Sequence, residues 1–335
     1  MTDSVHRTHW LVQTSVAYDA LCLLNILTGD SFYTSSHPGV FERWQPRLQG
    51  QPLEAFKRLE YTVRTEHKGI ISAWLCLFFS GVQPRDLNDL IQAALEPEPM
   101  LEAYRNSVYF EAEQARVFAT LLPDLLILFQ FLAASPFELE HQQDLGLVFQ
   151  DQLAELERTL NGFDIVAVVE QHLGRKLNTP EIEVFMLAYT APHGLKLMGN
   201  RFITSKDWQA VITVQTAIHE LMHPPFDHGK LEVQDAIQTL EQDLVLKTHF
   251  EQHDPAFGYN TWAGYVEENC VRALDQVIGE GFGVARDATE RWEQEDGGMH
   301  MLAARLTPLL RARKISGGSF EDWFIAQVFN GSLQS

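Results

Sequence analysis

Two histidines four residues apart enclose a glutamate in the run His219-Glu220-Leu221-Met222-His223, and Pro224-Pro225 follows at once. This is the segment that most restricts the fold. On an α-helix residues four apart stand one turn above each other, so both imidazoles reach a single Zn²⁺ while Glu220 points beside them at the metal's water. Proline disfavours α geometry in the residue before it, so the helix must stop at the second histidine and the chain must turn away. Upstream, apolar side chains recur at 208, 211, 212, 218 and 222, with the aliphatic stem of Gln215 between them. That spacing predicts a helix over 207–222, with Ser205 or Asp207 as its N-cap. A purely structural histidine pair would sit inside a longer, unbroken helix. The motif therefore predicts the core of a zinc hydrolase.

A catalytic zinc takes three protein ligands and keeps one position open, so a third ligand is needed. The metzincin continuation wants Gly and His at fixed offsets, where this chain has Phe226 and Gly229, with His228 one residue out of register. The alternative is a glutamate from a later helix. Residues 261–275 predict such a helix, with Glu267 and Glu268 adjacent on it and an apolar stripe through 262, 265, 266, 270, 273, 274 and 277. Glu267 lies at the margin of that stripe and Glu268 nearly opposite, so periodicity favours Glu267.

The combination of Ile-His-Glu-Leu-Met-His-Pro-Pro at 218–225 with Glu268-Asn269-Cys270-Val271-Arg272-Ala273 resembles a bacterial family of uncharacterised gluzincin-type proteins classed as DUF4932. That family pairs an H-E-x-x-H helix with a later helix reading roughly N-E-x-x-V-R-A. Aligning Val271-Arg272-Ala273 on it implies Glu268 as the ligand, with Glu267 as the alternative that periodicity keeps open. The resemblance is most specific over 210–275. It implies a zinc-dependent peptidase in which His219, His223 and Glu268 hold the metal and Glu220 is the general base.

Other residues near the motif carry weaker signals. Arg272 lies four residues after Glu268 and is positioned to pair with it or with a substrate carboxylate; the plainer reading is a surface ion pair. His228, His249 and His253 read as surface or loop histidines. Tyr259, Tyr265 and His300 are the nearest candidates for a donor that stabilises an oxyanion, and spacing does not choose among them. Gly279-Glu280-Gly281-Phe282-Gly283 follows a helix, not a strand, so it reads as a helix end rather than a phosphate loop.

A formal charge of −20 over 335 residues predicts a soluble chain repelled by nucleic acid and anionic membrane, and the peptidase reading makes a peptide or protein substrate the expected partner. The three cysteines, Cys22, Cys76 and Cys270, lack C-x-x-C spacing and suit a reducing, cytoplasmic compartment. The N-terminal apolar stretch Leu11–Leu27 is interrupted by Gln13, Asp19 and Asn25 and does not read as a signal peptide. The most apolar stretch, Phe118–Ala134, contains Pro123, Asp124 and Gln130, and predicts two packed core helices rather than a membrane span.

The whole predicts a mostly helical α+β protein. Residues 1–160 read as an all-α region, with helices at about 9–28, 52–65, 70–81, 85–96, 99–121, 124–134 and 143–160. Residues 161–335 read as a gluzincin-like zincin half: helix 163–173, short strands at 181–189, 193–198 and 201–204, then the metal helix. A strand edge beside the cleft would bind an extended peptide. A zinc-binding regulatory protein without peptidase activity would keep the same ligands, and a helical structural protein would hold the motif by coincidence.

Overall fold

The Ser15 hydroxyl accepts a hydrogen bond from the Tyr18 N–H and opens helix α1 (Val16–Ile26), satisfying an amide that the first turn leaves over. The residues in front of it, His9–Gln13, form strand β1 and not the beginning of a helix. Trp10 is buried while His9 and Leu11 face out, the period-two alternation of a half-buried strand. The computed structural model describes residues 6–254, 257, 259–315 and 318–333. Among these residues it is mostly helical, with one mixed sheet of four strands in the order β1, β2 (Glu181–Leu187), β4 (Arg201–Ser205), β3 (Leu195–Leu197).

The chain forms two compact units, and they do not follow a single cut near residue 160. One unit comprises Trp10–Thr159 with Glu181–Trp208; the other comprises Met1–His9, Leu160–Pro180 and Gln209–Ser335. The first contains α1 and helices α2 (Gly50–Glu60), α3 (Ile71–Phe79), α4 (Leu87–Leu95) and α5 (Ala112–Ala134), with strands β2 (Glu181–Leu187), β3 (Leu195–Leu197) and β4 (Arg201–Ser205). β2 runs parallel to β4, and β3 pairs antiparallel with β4.

The strands therefore belong with the N-terminal helices, contrary to their expected place in the metal-binding half. The physical reason is burial. Phe185, Leu187, Leu195, Leu197 and Ile203 join the same apolar core as α1, α3 and α5. Asp19, wholly buried on α1, accepts the Ala188 and Tyr189 N–H groups at 3.1 and 2.8 Å and a bond from His141 Nε2 at 2.6 Å. A buried carboxylate needs such donors, and here they fasten the end of β2 to α1.

Helix α5 also departs from expectation: it runs unbroken through Pro123, where the sequence predicts two helices. The proline removes one backbone donor, but Leu121, Leu125, Leu128, Phe129 and Leu132 bury one continuous face across it. Phe118 stacks on Phe78 with ring centroids 3.8 Å apart. By length and apolar composition α5 could cross a membrane, and within this unit its apolar face packs against α2 and α4.

The second unit holds α6 (Ile165–Leu173), α7 (Ala210–Met222), α8 (Leu231–Leu240), α9 (Trp262–Phe282), α10 (Ala288–Gln294), α11 (Met301–Ala312) and α12 (Phe320–Phe329). Among its described residues it has no strand beyond His9, the first residue of β1. Helix α7 starts at Ala210 after an extended Gln209 that makes no side-chain cap. Ser205 and Asp207 thus do not cap it; Ser205 Oγ instead accepts from the Asp207 N–H in the turn after β4. Thr261 Oγ1 caps α9 through the Gly264 N–H, and Gly283 at φ 70° ends it in the left-handed conformation that glycine adopts without strain. Helix α9 packs against α7 and α11.

Candidate metal centre

His219 occupies the last turn of α7, and His223 is the residue just past its end, extended at ψ 132° before Pro224. The side chains still converge, with Nε2 atoms 3.1 Å apart. From α9, Glu268 brings Oε2 to 3.6 Å from His219 Nε2 and 3.4 Å from His223 Nε2. These three donor atoms lie within 4.8 Å of one another and can hold a metal ion.

The placement of the ring protons leaves this point suited to a cation. His219 Nδ1 stands 2.9 Å from Asp275 Oδ2, and His223 Nδ1 stands 2.8 Å from Glu267 Oε1. A carboxylate can only accept, so each ring carries its proton on Nδ1 and turns the Nε2 lone pair inward. Glu268 Oε2 is buried and has no hydrogen-bond partner. Three lone pairs thus meet around one point with no donor among them. Without a metal, a proton must fill the gap: burial pulls His223 down, but the bonded Glu267 and the nearby Glu268 carboxylate outweigh it and carry its pKa up to about 10. Burial likewise opposes the charge on Glu268, yet His219, Arg272 and His223 hold its carboxyl well below the usual range.

Behind each inward-facing group stands a second one. Asp275, which orients His219, is gripped by Arg291 at 2.5 and 3.2 Å. Burial would raise Asp275, but Arg291 and His219 hold it at about 2. Glu267, which orients His223, also accepts from His228 Nε2 at 2.5 Å. Glu268 Oε1 accepts from Arg272 Nε at 2.5 Å, and Arg272 Nη1 reaches Glu295. Arg272 is therefore no surface pair: its side chain is mostly buried among carboxylates.

The helical stripe pointed to Glu267 because it assumes one buried face. Helix α9 is buried on two, so Glu268, opposite the apolar stripe, is also inside. Sequence reasoning missed Asp275, Arg291 and Glu295. A signal for the first existed: Glu268, Arg272 and Asp275 recur at i, i+4 and i+7, a charged line on one face of a helix otherwise rich in apolar residues.

The remaining candidates separate clearly. Glu220 is buried on α7 and is not among the converging donors. Tyr265 is buried and donates to the Met299 carbonyl, and His300 is buried against Asp296, so both have internal partners. Tyr259 is partly exposed at φ 59°; burial pushes its hydroxyl pKa up, Glu268 adds to this and Arg272 opposes it, which places the phenol in the field of the site. His228 joins through Glu267 rather than as a ligand. His253 is taken up by the Phe250 carbonyl and Asn260, and neither it nor His249 is among the converging donors. Compared with protein-family models, curated proteins and solved structures, the chain finds no match.

Proposed function

We propose that this chain is a zinc-dependent peptidase, with His219, His223 and Glu268 holding the metal and Glu220 acting as general base. The single observation that carries the reading is the orphaned Glu268 Oε2 facing two imidazole lone pairs. Two nitrogens and one carboxylate oxygen suit zinc and disfavour calcium or magnesium, which take oxygen ligands. The spacing agrees. A tetrahedral site with bonds of about 2.0–2.2 Å has edges of about 3.3–3.6 Å, and the donors stand 3.1, 3.4 and 3.6 Å apart.

Zinc supplies Lewis-acid polarisation of a carbonyl and water activation near neutral pH. The chain's own residues do the rest. Asp275 and Glu267 keep both imidazoles in the tautomer whose Nε2 is free to bind. Glu220 accepts the proton of the attacking water and returns it to the leaving amine.

The test is hydrolysis of a mixed peptide library by zinc-loaded protein, read by mass spectrometry beside Glu220→Gln. We expect cleavage by the parent and a loss of about 10²–10⁴-fold in the variant at unchanged zinc content. A zinc-loaded parent that cleaves nothing would sink the peptidase assignment while leaving the metal centre standing.

A further inference from the structure

Resting on that metal-binding reading, we propose that Arg272 is a positioning residue that restricts Glu268 to one-oxygen coordination and so keeps a metal position open to substrate. A carboxylate can offer a metal both of its oxygens. Here only Oε2 is free: it faces the histidines without a hydrogen-bond partner, while Oε1 accepts from Arg272 Nε at 2.5 Å. If both oxygens bound together with the two imidazoles, they would take the fourth position, so that water could join only as a fifth ligand and no place would be left for substrate.

The guanidinium cannot drift out of this role, because its other nitrogens are also engaged. Nη1 reaches Glu295, and Nη2 lies 3.8 Å from Asp296 Oδ2. Glu295 is itself held by Arg291 Nε at 2.5 Å, and Arg291 grips Asp275 behind His219. The planar fork thus fixes the carboxylate plane as a point charge would not. Helical spacing makes the contact local: Arg272 sits one turn beyond Glu268 on the same face of α9.

Cobalt(II) reports coordination number in the visible spectrum, since its d–d bands are strongest in a tetrahedral field, where d and p orbitals mix most, and weaken as a fifth ligand is added. The experiment loads the full-length protein with Co²⁺ and records the visible band per bound ion, with folding checked by circular dichroism. The parent should give the strong band. Arg272→Met should keep its cobalt and lose intensity by about twofold or more, as Glu268 turns to offer both oxygens beside the retained water and the ion becomes five-coordinate.

Removing a buried cation costs Glu295 and Asp296 one partner each and leaves them only Arg291 and His300, so Arg272→Lys is the companion variant: it keeps the charge but loses the Nε–H fork. It should lose intensity as Arg272→Met does. A parental spectrum in the folded lysine variant would overturn the proposal, because charge alone would then suffice. A weak band in the parent would overturn it directly. A parent that takes up no cobalt would instead defeat the underlying metal-centre reading.

Discussion

Exchanging each adjacent glutamate for glutamine separates a ligand from its support. In Glu268→Gln the buried Arg272 Nε–H still demands an acceptor, so the amide oxygen turns toward it. The amide NH₂ then points at the two Nε2 lone pairs and takes the place of the metal. Zinc affinity should fall by more than about 100-fold, beyond the 10–100-fold typical of losing a group that only orients a ligand; that is about 3 kcal/mol or more. In Glu267→Gln the amide oxygen can still accept from His223 Nδ1, and only the bond to His228 is reversed or lost. Its loss should stay near tenfold. Competition against a chromophoric chelator at fixed pH and ionic strength measures both, with folding checked by circular dichroism. Equal losses, or a larger one at Glu267, would refute the assignment of Glu268 and the argument from its orphaned oxygen.

Three further outcomes follow from other parts of the molecule. Asp275→Ala frees the His219 ring to take the wrong tautomer and should weaken zinc by about 10–100-fold in the same competition assay; unchanged affinity would remove Asp275 from the centre. His172, buried on α6, has its pKa lowered from 6.5 to about 4 by burial and by Arg313. The unfolded chain gains a proton near pH 6.5 that the folded one refuses until about 4, so this stabilisation is present above 6.5 and lost as pH falls toward 4, up to roughly 3 kcal/mol. Urea unfolding of His172→Gln should show a flatter dependence on pH across that window, and parallel curves would contradict it. Phe118→Ala empties a fully buried site stacked on Phe78 and should destabilise the first unit by about 3–5 kcal/mol in denaturant titration; a loss under about 1 kcal/mol would mean the core collapses into the gap.

Much of the candidate metal centre is legible in the residues because its geometry is local. His219 and His223 are fixed by helical spacing, and Pro224 fixes where the helix stops. The inward place of Glu268 agrees with motif register, while periodicity favours Glu267 because it takes no account of a helix covered on both faces. Arg291 and Glu295 stayed hidden because they reach the centre from outside α9, through contacts that no spacing rule encodes. The same limit explains the fold. Strand β1 and the unbroken α5 were misread from local patterns that tertiary burial overrode, and the placement of β2 to β4 depends on a core assembled from distant segments.

The three inward-facing groups come from two helices, with His219 and His223 on or just beyond α7 and Glu268 on α9. An ion bound to all three is therefore a clasp between segments that are otherwise kept together by packing and by the bonds of His219 and His223 to Asp275 and Glu267. Free metal at a hundredfold excess over its dissociation constant adds about 2.7 kcal/mol to the folded state. The durability of this unit would then track the metal supply of its surroundings, and scarcity would loosen the scaffold at the same moment that it silences the chemistry.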